Sequence, residues 1–135
     1  MASDPKAVVR RFLDDGWDPV AGRWDADVIA ECFDVERYHS HTWGAGLVET
    51  GRRMGEFFSG LGRPQPVTEA LVAEGDRVVH HVTWRATHVG PVLGVAATGR
   101  TVEVHHVEIW RVEDGRIVEH WGGIGEAAHL LAQIT

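Results

Sequence analysis

Residues 101–121, TVEVHHVEIWRVEDGRIVEHW, carry the clearest strand pattern of the chain. Two stretches in it alternate apolar and polar residues, and Asp114-Gly115 separates them. Such alternation is typical of half-buried strands, and Asp-Gly is a frequent turn between paired strands. The segment therefore predicts an antiparallel hairpin with strands near Thr101 to Glu113 and Arg116 to Trp121.

The pairing of this hairpin depends on its turn. If Glu113-Asp114-Gly115 is a three-residue turn with Gly115 in a bulge, the numbers of opposing residues sum to 228, and Glu108 opposes His120. If the turn has two residues, the sum becomes 229, and His120 opposes Ile109. We favour the three-residue turn because Gly115 then adopts the left-handed conformation that glycine tolerates.

In the favoured register, one face of the hairpin carries Glu108 and His120 with His106 beside them. A carboxylate fixes the tautomer of an imidazole and raises its pKa, which suits a general acid/base near neutral pH. On an outer face, the same pair would be an ordinary solvated contact, so both locations stay open. The catalytic hypothesis is that Glu108 orients His120 for proton exchange, while His106 or His41 polarises a substrate oxygen.

The preceding strand, near Arg77 to Val89, also has two distinct faces. One face is mostly apolar and is predicted to look inward: Val78, His80, Val82, Trp84, Ala86 and His88. Near Arg37 to Trp43, a short strand places His39 and His41 on one face and Tyr38 and Ser40 on the other. The residues expected to bind substrate are His41, Trp43, His80, Trp84, His88, Trp110 and Gly122.

Helical patterns precede the sheet. The predicted helices run from a cap at Ser3 or Asp4 to Gly16, from Asp25 or Asp27 through Cys32 and Phe33, from Glu49 to Leu61, and from Glu126 to Gln133. Residues 18–24 are predicted to be a loop, and a further strand is expected near Val67 to Glu74. This order predicts an α+β fold in which a curved antiparallel sheet wraps around N-terminal helices and leaves a pocket. The length of 135 residues fits a single domain over 1–135.

Composition excludes several classes of protein. The chain has 13 basic and 20 acidic residues, a formal charge of −7, so nucleic acid is not an expected partner. Apolar runs fall far short of the roughly 20 residues that span a bilayer. Cys32 is the only cysteine, and no secretory leader pattern opens the chain, which favours a cytoplasmic location.

The sequence does not predict a metal site. His39-Ser40-His41 followed by Glu49 invites comparison with the cupin ligand set, but the glutamate stands too far from the second histidine and the chain begins with helices. Serine-nucleophile and nucleotide-binding glycine motifs are also missing from the sequence.

Four segments in the C-terminal half resemble the SnoaL-like polyketide cyclase family. They are EGDRV at 74–78, THVGPVLG at 87–94, TGR at 98–100 and RVEDGRIVEHW at 111–121. The resemblance implies the nuclear transport factor 2-like α+β cone with an internal apolar cavity, no cofactor, and a homodimer or higher homo-oligomer. It also implies a role in antibiotic biosynthesis and a small, apolar, polyketide-like substrate.

The chain departs from this family at one position. Aldol cyclases of the family follow E-x-W with an aspartate that acts as the acid/base, whereas Gly122 follows Trp121 here. The resemblance therefore carries over the pocket and not the mechanism. The expected function is a cofactor-independent cyclase or isomerase that works by acid/base catalysis or by shaping its substrate. The alternatives are a SnoaL-like hydroxylase, an epoxide-opening enzyme, or a non-catalytic small-molecule-binding module.

Overall fold

The computed structural model describes residues 4–18, 21, 23–123 and 126–135. Its helices are α1 (Pro5–Arg11), α2 (Ala26–Cys32), α3 (Leu47–Ser59) and α4 (Glu126–Ile134), and a π-helical turn, Phe12–Gly16, follows α1. Its strands are β1 (Trp17–Asp18), β2 (Arg23–Trp24), β3 (His39–Ser40), β4 (Leu61–Glu74), β5 (Arg77–His88), β6 (Thr101–Glu113) and β7 (Arg116–Gly122).

The first two helices begin at side-chain caps. Asp4 accepts a hydrogen bond from the Lys6 amide, and Asp25 accepts hydrogen bonds from the amides of Asp27 and Val28. Of the alternative caps, Asp25 is thus the one that begins α2, while Ser3 lies outside the described residues. Cys32 is buried in the core at the end of α2, and burial raises the pKa of its thiol.

Five strands form the main sheet in the order β3-β7-β6-β5-β4. The short β3 runs parallel to β7, and the other neighbours are antiparallel. Helices α1 and α2 pack on the inner face of the sheet, where Phe12 and Phe33 contact the core around Trp110. The predicted α+β arrangement of a curved sheet around N-terminal helices is confirmed.

Strand β5 shows the predicted division into two faces. Every second residue is buried: Val78, His80, Val82, Trp84, Ala86 and His88. The residues between them are half-buried or exposed. The inner face of β5 was predicted correctly because side chains of a strand alternate between the two sides of the sheet.

The register of the β6–β7 hairpin differs from the prediction. Asp114 and Gly115 form a two-residue turn with φ angles of 52° and 77°, so Glu113 opposes Arg116. A bulge at Val118 then adds a second one-residue shift. As a result, His120 opposes Trp110. The three-residue turn had instead predicted Glu108 as the partner of His120.

The two shifts cancel in their effect on side-chain direction. Each one-residue shift would move the side chains to the other face, but a total of two restores the original face. Glu108 now opposes Gly122, and His120 lies diagonally from Glu108 on the same inner face. The prediction that Glu108 and His120 share a face is therefore correct, although the predicted cross-strand partners are wrong.

Other boundaries also differ from the predictions. Strand β4 begins at Leu61 and not at Val67, because an edge strand tolerates Pro64 and Pro66, which cannot donate to a neighbour. Helix α3 runs from Leu47 to Ser59, two residues earlier than predicted at both ends.

The loop predicted over 18–24 contains paired residues. Trp17 in β1 opposes Trp24 in β2, and their rings meet edge to face at 6.0 Å. The strand predicted over 37–43 is limited to β3. Within the described ranges, no helix has the length and apolar character needed to cross a membrane.

Candidate functional site

A cavity of about 500 Å³ lies between the helices and the inner face of the sheet. Most of its wall is apolar and comes from Phe12, Leu13, Trp17, Trp43, Met54, Phe57, Phe58, Val82 and Trp84. Four ionisable side chains gather where β6, β7 and α4 meet: His106, Glu108, His120 and Glu126. Asp14, Thr68 and His80 line other parts of the wall. An apolar enclosure with a few converging polar groups is the usual form of a small-molecule site.

Glu108 stands at the centre of the polar group. Its Oε1 atom accepts a hydrogen bond from Nε2 of His106 at 2.8 Å and lies 3.3 Å from Nε2 of His120. His120 is brought into reach by the bulge in β7, and His106 precedes Glu108 by two residues on the same face of β6. One carboxylate therefore holds two imidazoles at the cavity wall.

His106 bridges two carboxylates. Its second ring nitrogen, Nδ1, lies 2.5 Å from Oε2 of Glu126 at the start of α4. Burial by itself would lower the pKa of His106, but the charges and hydrogen bonds of Glu108 and Glu126 outweigh it and raise the pKa to about 10. His106 is therefore an imidazolium at neutral pH.

Glu108 has the opposite shift. Burial would raise its pKa, yet the neighbouring His106 charge and the hydrogen bonds from His106 and His120 hold the pKa of Glu108 well below its usual range. The cluster of Glu108, His106 and Glu126 thus contains two carboxylates and one imidazolium. The imidazolium of His106 therefore lies between the side chains of Glu108 and Glu126 at the wall of an apolar cavity.

His120 is held at both of its ring nitrogens. Nδ1 lies 3.0 Å from the hydroxyl oxygen of Ser40, which is fully buried and also accepts a hydrogen bond from the Trp43 amide. With Glu108 ionised, Nε2–H of His120 donates to the carboxylate and Nδ1 accepts from the Ser40 hydroxyl. Ser40 therefore fixes the ring of His120 and, through it, the position of Glu108.

Gly122 makes room for this arrangement. A Cβ atom at position 122 would lie 3.0 Å from Cγ of Glu108 and 3.1 Å from Nε2 of His120. At Gly123, a Cβ atom would lie 3.1 Å from Oε2 of Glu126. The space beside these two glycines is therefore filled by carboxylates that come from β6 and α4.

Most of the residues predicted for the site line the cavity. His106, Glu108 and His120 meet there as a group, and Trp43, His80, Trp84 and Gly122 belong to the wall. His80 shares a 2.9 Å hydrogen bond between Nε2 and the Thr68 hydroxyl, and burial lowers its pKa. His80 is therefore a neutral imidazole in the wall.

Three residues predicted to bind substrate lie elsewhere. His41 is on the outer face, where its ring stacks on Trp121 at 4.8 Å and its Nε2 lies 2.8 Å from Oε2 of Glu119. His39 and His41 share a face, as predicted, but the buried face of this segment is the opposite one, which carries Tyr38 and Ser40. The placement of His41 at the cavity is corrected accordingly.

His88 and Trp110 do lie on the inner face, as predicted, but other side chains cover them. His88 is fully buried and its Nδ1 bonds to the hydroxyl and amide of Thr98. Trp110 lies in the core, with its ring 6.1 Å from that of Phe12 in an edge-to-face contact. Both residues support the wall from behind and do not line it.

Glu126 was predicted only as the first residue of the last helix. Its contact with His106 joins α4 to β6 across 20 positions of sequence. The signal in the sequence was a carboxylate that begins a helix soon after the Gly122-Gly123 pair. Strand and helix periodicity alone does not show that the side chain of Glu126 contacts His106.

The residues considered for a metal site do not converge. The rings of His39 and His41 are perpendicular on the outer surface, and Glu49 forms ion pairs with Arg52 and Arg53. The part of the chain that the structure describes contains no group of three His, Cys, Asp or Glu side chains arranged to hold a metal ion.

The sequence matches the family model of the SnoaL-like polyketide cyclases over residues 7–134. None of the curated proteins compared with the chain matches it. The family match covers nearly the whole chain, from within α1 to the end of α4.

Crystal structures of similar proteins share the fold. A candidate SnoaL-like polyketide cyclase from Jannaschia sp. CCS1 has 26% sequence identity and a TM-score of 0.77, covering 95% of this chain and 92% of its own. AclR of Streptomyces galilaeus, a candidate hydroxylase, has 27% identity and a TM-score of 0.67, covering 88% and 73%. IdmH of Streptomyces antibioticus, a candidate polyketide cyclase, has 23% identity and a TM-score of 0.71, covering 97% and 98%. These neighbours confirm the nuclear transport factor 2-like α+β fold.

Proposed function

This chain belongs to the SnoaL-like polyketide cyclase family, and we propose that it is a cofactor-independent cyclase or isomerase that closes a ring in a small polyketide-like intermediate. The observation that carries the proposal is the carboxylate–imidazolium–carboxylate cluster of Glu108, His106 and Glu126 beside an apolar cavity. A flat, largely apolar substrate would meet this cluster on one side of the cavity.

The cluster supplies a carboxylate base without the aspartate that the family's aldol cyclases carry after E-x-W. Glu108 is the cross-strand partner of Gly122, and it fills the space where a side chain at 122 would stand. We propose that the acid/base function has moved from position 122 to the carboxylates around it. Two carboxylates at different backbone positions take the place of one.

Within the cluster, Glu126 is the better candidate for proton abstraction. Oε1 of Glu108 is already engaged by two imidazoles. Glu126 has one oxygen on His106, while its Oε1 atom has no partner among the described residues. The proposed base is therefore Oε1 of Glu126, and Glu108 and His106 hold it in place.

The charges of the cluster fit this step. The carboxylate of Glu126 takes a proton from a carbon next to a carbonyl group, and the negative charge passes to the enolate oxygen of the substrate. The enolate carbon then attacks a second carbonyl carbon of the same molecule, and one carbon–carbon bond closes the ring. The resulting alkoxide recovers the proton from Glu126, so no proton is gained or lost. The nearby His106 imidazolium stabilises the negative charge while it resides on the substrate.

The experiment that tests the proposal follows proton transfer directly. The purified protein is incubated in D₂O with linear and partly cyclised β-ketoesters, and deuterium incorporation and ring formation are followed by NMR and mass spectrometry as rates in excess of those measured without protein. Glu126→Gln is expected to slow both by about 10²- to 10⁴-fold, since general acid/base catalysis contributes that much. Glu119→Gln is the matched control, because Glu119 lies on the outer face of β7.

The same experiment separates the alternatives. Unchanged exchange and ring closure in Glu126→Gln would remove Glu126 as the base and favour a cavity that works by shaping its substrate. Binding of these esters without exchange or conversion in the wild type would indicate a non-catalytic binding module. Conversion of only a hydroxylation substrate or only an epoxide would favour the hydroxylase or the epoxide-opening alternative, respectively. The similar protein AclR is a candidate hydroxylase.

We further propose that the protein forms a homodimer through the outer face of the sheet. Val67, Val72 and Val107 are exposed apolar residues of β4 and β6, and each is about half exposed or more. Val72 and Val107 pair with the outward-facing residues Val79 and His81 of β5. Light scattering on the wild type and on Val107→Glu tests this: a wild-type dimer that becomes monomeric in the variant is expected, and a monomeric wild type would refute it.

A further inference from the structure

The connection between β5 and β6 contains a leucine in an unfavourable backbone conformation. Val92 and Val95 exchange two backbone hydrogen bonds of 3.0 and 2.9 Å, which close a two-residue turn at Leu93-Gly94. Both turn residues have positive φ angles, 50° at Leu93 and 79° at Gly94. Glycine adopts this left-handed conformation freely, but a bulky side chain such as leucine does so at an energetic cost.

The backbone that leads into this turn packs closely against the end of α3. Val92 is buried, and Gly60 at the end of α3 lies directly against it. A Cβ atom at Gly60 would also lie 2.5 Å from the carbonyl oxygen of Pro91. The backbone on the N-terminal side of Leu93 is therefore fixed by close packing on the body of the protein.

Core packing does not account for the leucine. Its side chain is 46% exposed, so it recovers only part of the hydrophobic free energy of a buried leucine. It lines the cavity and also an adjoining recess of about 430 Å³, where Trp43 and Phe57 are the other shared wall residues. Leu93 thus stands at the boundary between the cavity and the open recess.

We propose that Leu93 is a specificity-determining residue that covers an apolar ligand in the cavity and separates it from the recess. Strained conformations persist where the surrounding structure holds them, and they cluster at ligand-binding sites. An apolar side chain at this rim selects ligands with a flat apolar ring and limits how far they extend toward Arg52 and Arg53 in the recess. The proposal rests on the proposed function only in that an apolar ligand occupies the cavity.

The test uses N-phenyl-1-naphthylamine, an uncharged aromatic probe whose fluorescence increases in apolar sites. Its dissociation constant is measured for the wild type, Leu93→Asn and Asp114→Asn. Asparagine tolerates the left-handed conformation, so Leu93→Asn removes the apolar contact and leaves the turn intact. Asp114 has a φ angle of 52° in the exposed β6–β7 turn and is the matched control.

We expect Leu93→Asn to weaken probe binding about fivefold while its unfolding midpoint stays the same or rises. Asp114→Asn is expected to bind like the wild type. Leu93→Phe restores an apolar side chain and is expected to recover binding. Unchanged binding in Leu93→Asn, or a loss of binding that accompanies a lower unfolding midpoint, would overturn the role of Leu93. Absence of binding in the wild type would instead refute the apolar ligand site and the proposed function with it.

Discussion

The two faces of the sheet contain the same residue types in very different electrostatic states. His105 and His106 are neighbours on β6, and each has a carboxylate within 4 Å. His105 points outward, is 57% exposed, and lies 3.8 Å from Glu103. His106 points inward, is 15% exposed, and is held between Glu108 and Glu126. Burial, and not the presence of a carboxylate, therefore separates a surface contact from a functional cluster.

Two glutamates show the same contrast. Glu119 on the outer face of β7 receives hydrogen bonds from His41 and Arg111, which lower its pKa. Glu108 on the inner face has its pKa lowered by imidazoles in a buried setting. Solvent screens the outer contacts, so they contribute little to stability, while the inner ones become costly when a partner is removed.

The largest difference between the faces is expected from single histidine substitutions. His106→Gln should lower the free energy of unfolding by about 3–5 kcal/mol, because Glu108 and Glu126 would remain buried without the cation. His105→Gln, made in the Val107→Glu background so that the outer face is free of a partner, should change it by no more than about 0.5 kcal/mol. Urea unfolding at pH 7 measures both. Equal effects would show that burial does not distinguish the two faces.

The pH dependence of stability should carry the signature of His106. Its pKa of about 10 in the folded protein lies above its ordinary value, so folding is favoured by the bound proton. This contribution is complete below about pH 6.5 and is lost as the pH rises to about 10. The wild type should therefore lose unfolding free energy over this window relative to His106→Gln. A constant difference between the two proteins across the window would contradict the assignment.

A smaller effect is expected at Gly122 on the inner face. Gly122→Ala should destabilise the protein by about 1–3 kcal/mol, because its Cβ atom must displace Glu108 or His120. Gly55 in α3 is the control, since a Cβ atom there meets nothing within 4 Å. Gly55→Ala should stabilise the helix by about 0.5–1 kcal/mol. Thermal unfolding compares the two, and a neutral Gly122→Ala would mean that the cluster shifts freely.

The smallest effect is expected at His41 on the outer face. His41→Ala removes the stacking on Trp121 and the hydrogen bond to Glu119. Because these contacts are exposed, the loss should be about 0.2–1 kcal/mol and should shrink in high salt. Urea unfolding at low and high salt tests this. A loss comparable to that of His106→Gln would remove the distinction between the faces.

The hairpin shows how far local sequence patterns extend. Alternation placed Glu108 and His120 on one face. This prediction is correct although the turn type was mispredicted and a bulge was not foreseen, because the two one-residue shifts together move the register by two. Which residue opposes which was not predictable, since a two-residue turn and a bulge at Val118 are separate events whose sum depends on packing. The bulge, in particular, buries Ile117 and Val118 in succession.

Contacts between distant segments were beyond the reach of these patterns. Alternation separated His41 from Ser40 but could not say which of them faces the helices. It also placed Trp110 inward without indicating that Phe12 would cover it. Glu126 was missed for the same reason, because its bond to His106 depends on where α4 returns to the sheet.

The sequence by itself determined the four long strands of the sheet apart from their ends, the inner face of β5, the shared face of Glu108 and His120, and the family. These follow from the backbone pleat and from ordered motifs, which are properties of neighbouring residues. Only the tertiary structure decided that Glu126 completes the cluster, that Gly122 makes room for Glu108, and that His106 carries a charge. Those depend on burial and on contacts between elements, because the strength of an ion pair is set by the surroundings into which the fold places it.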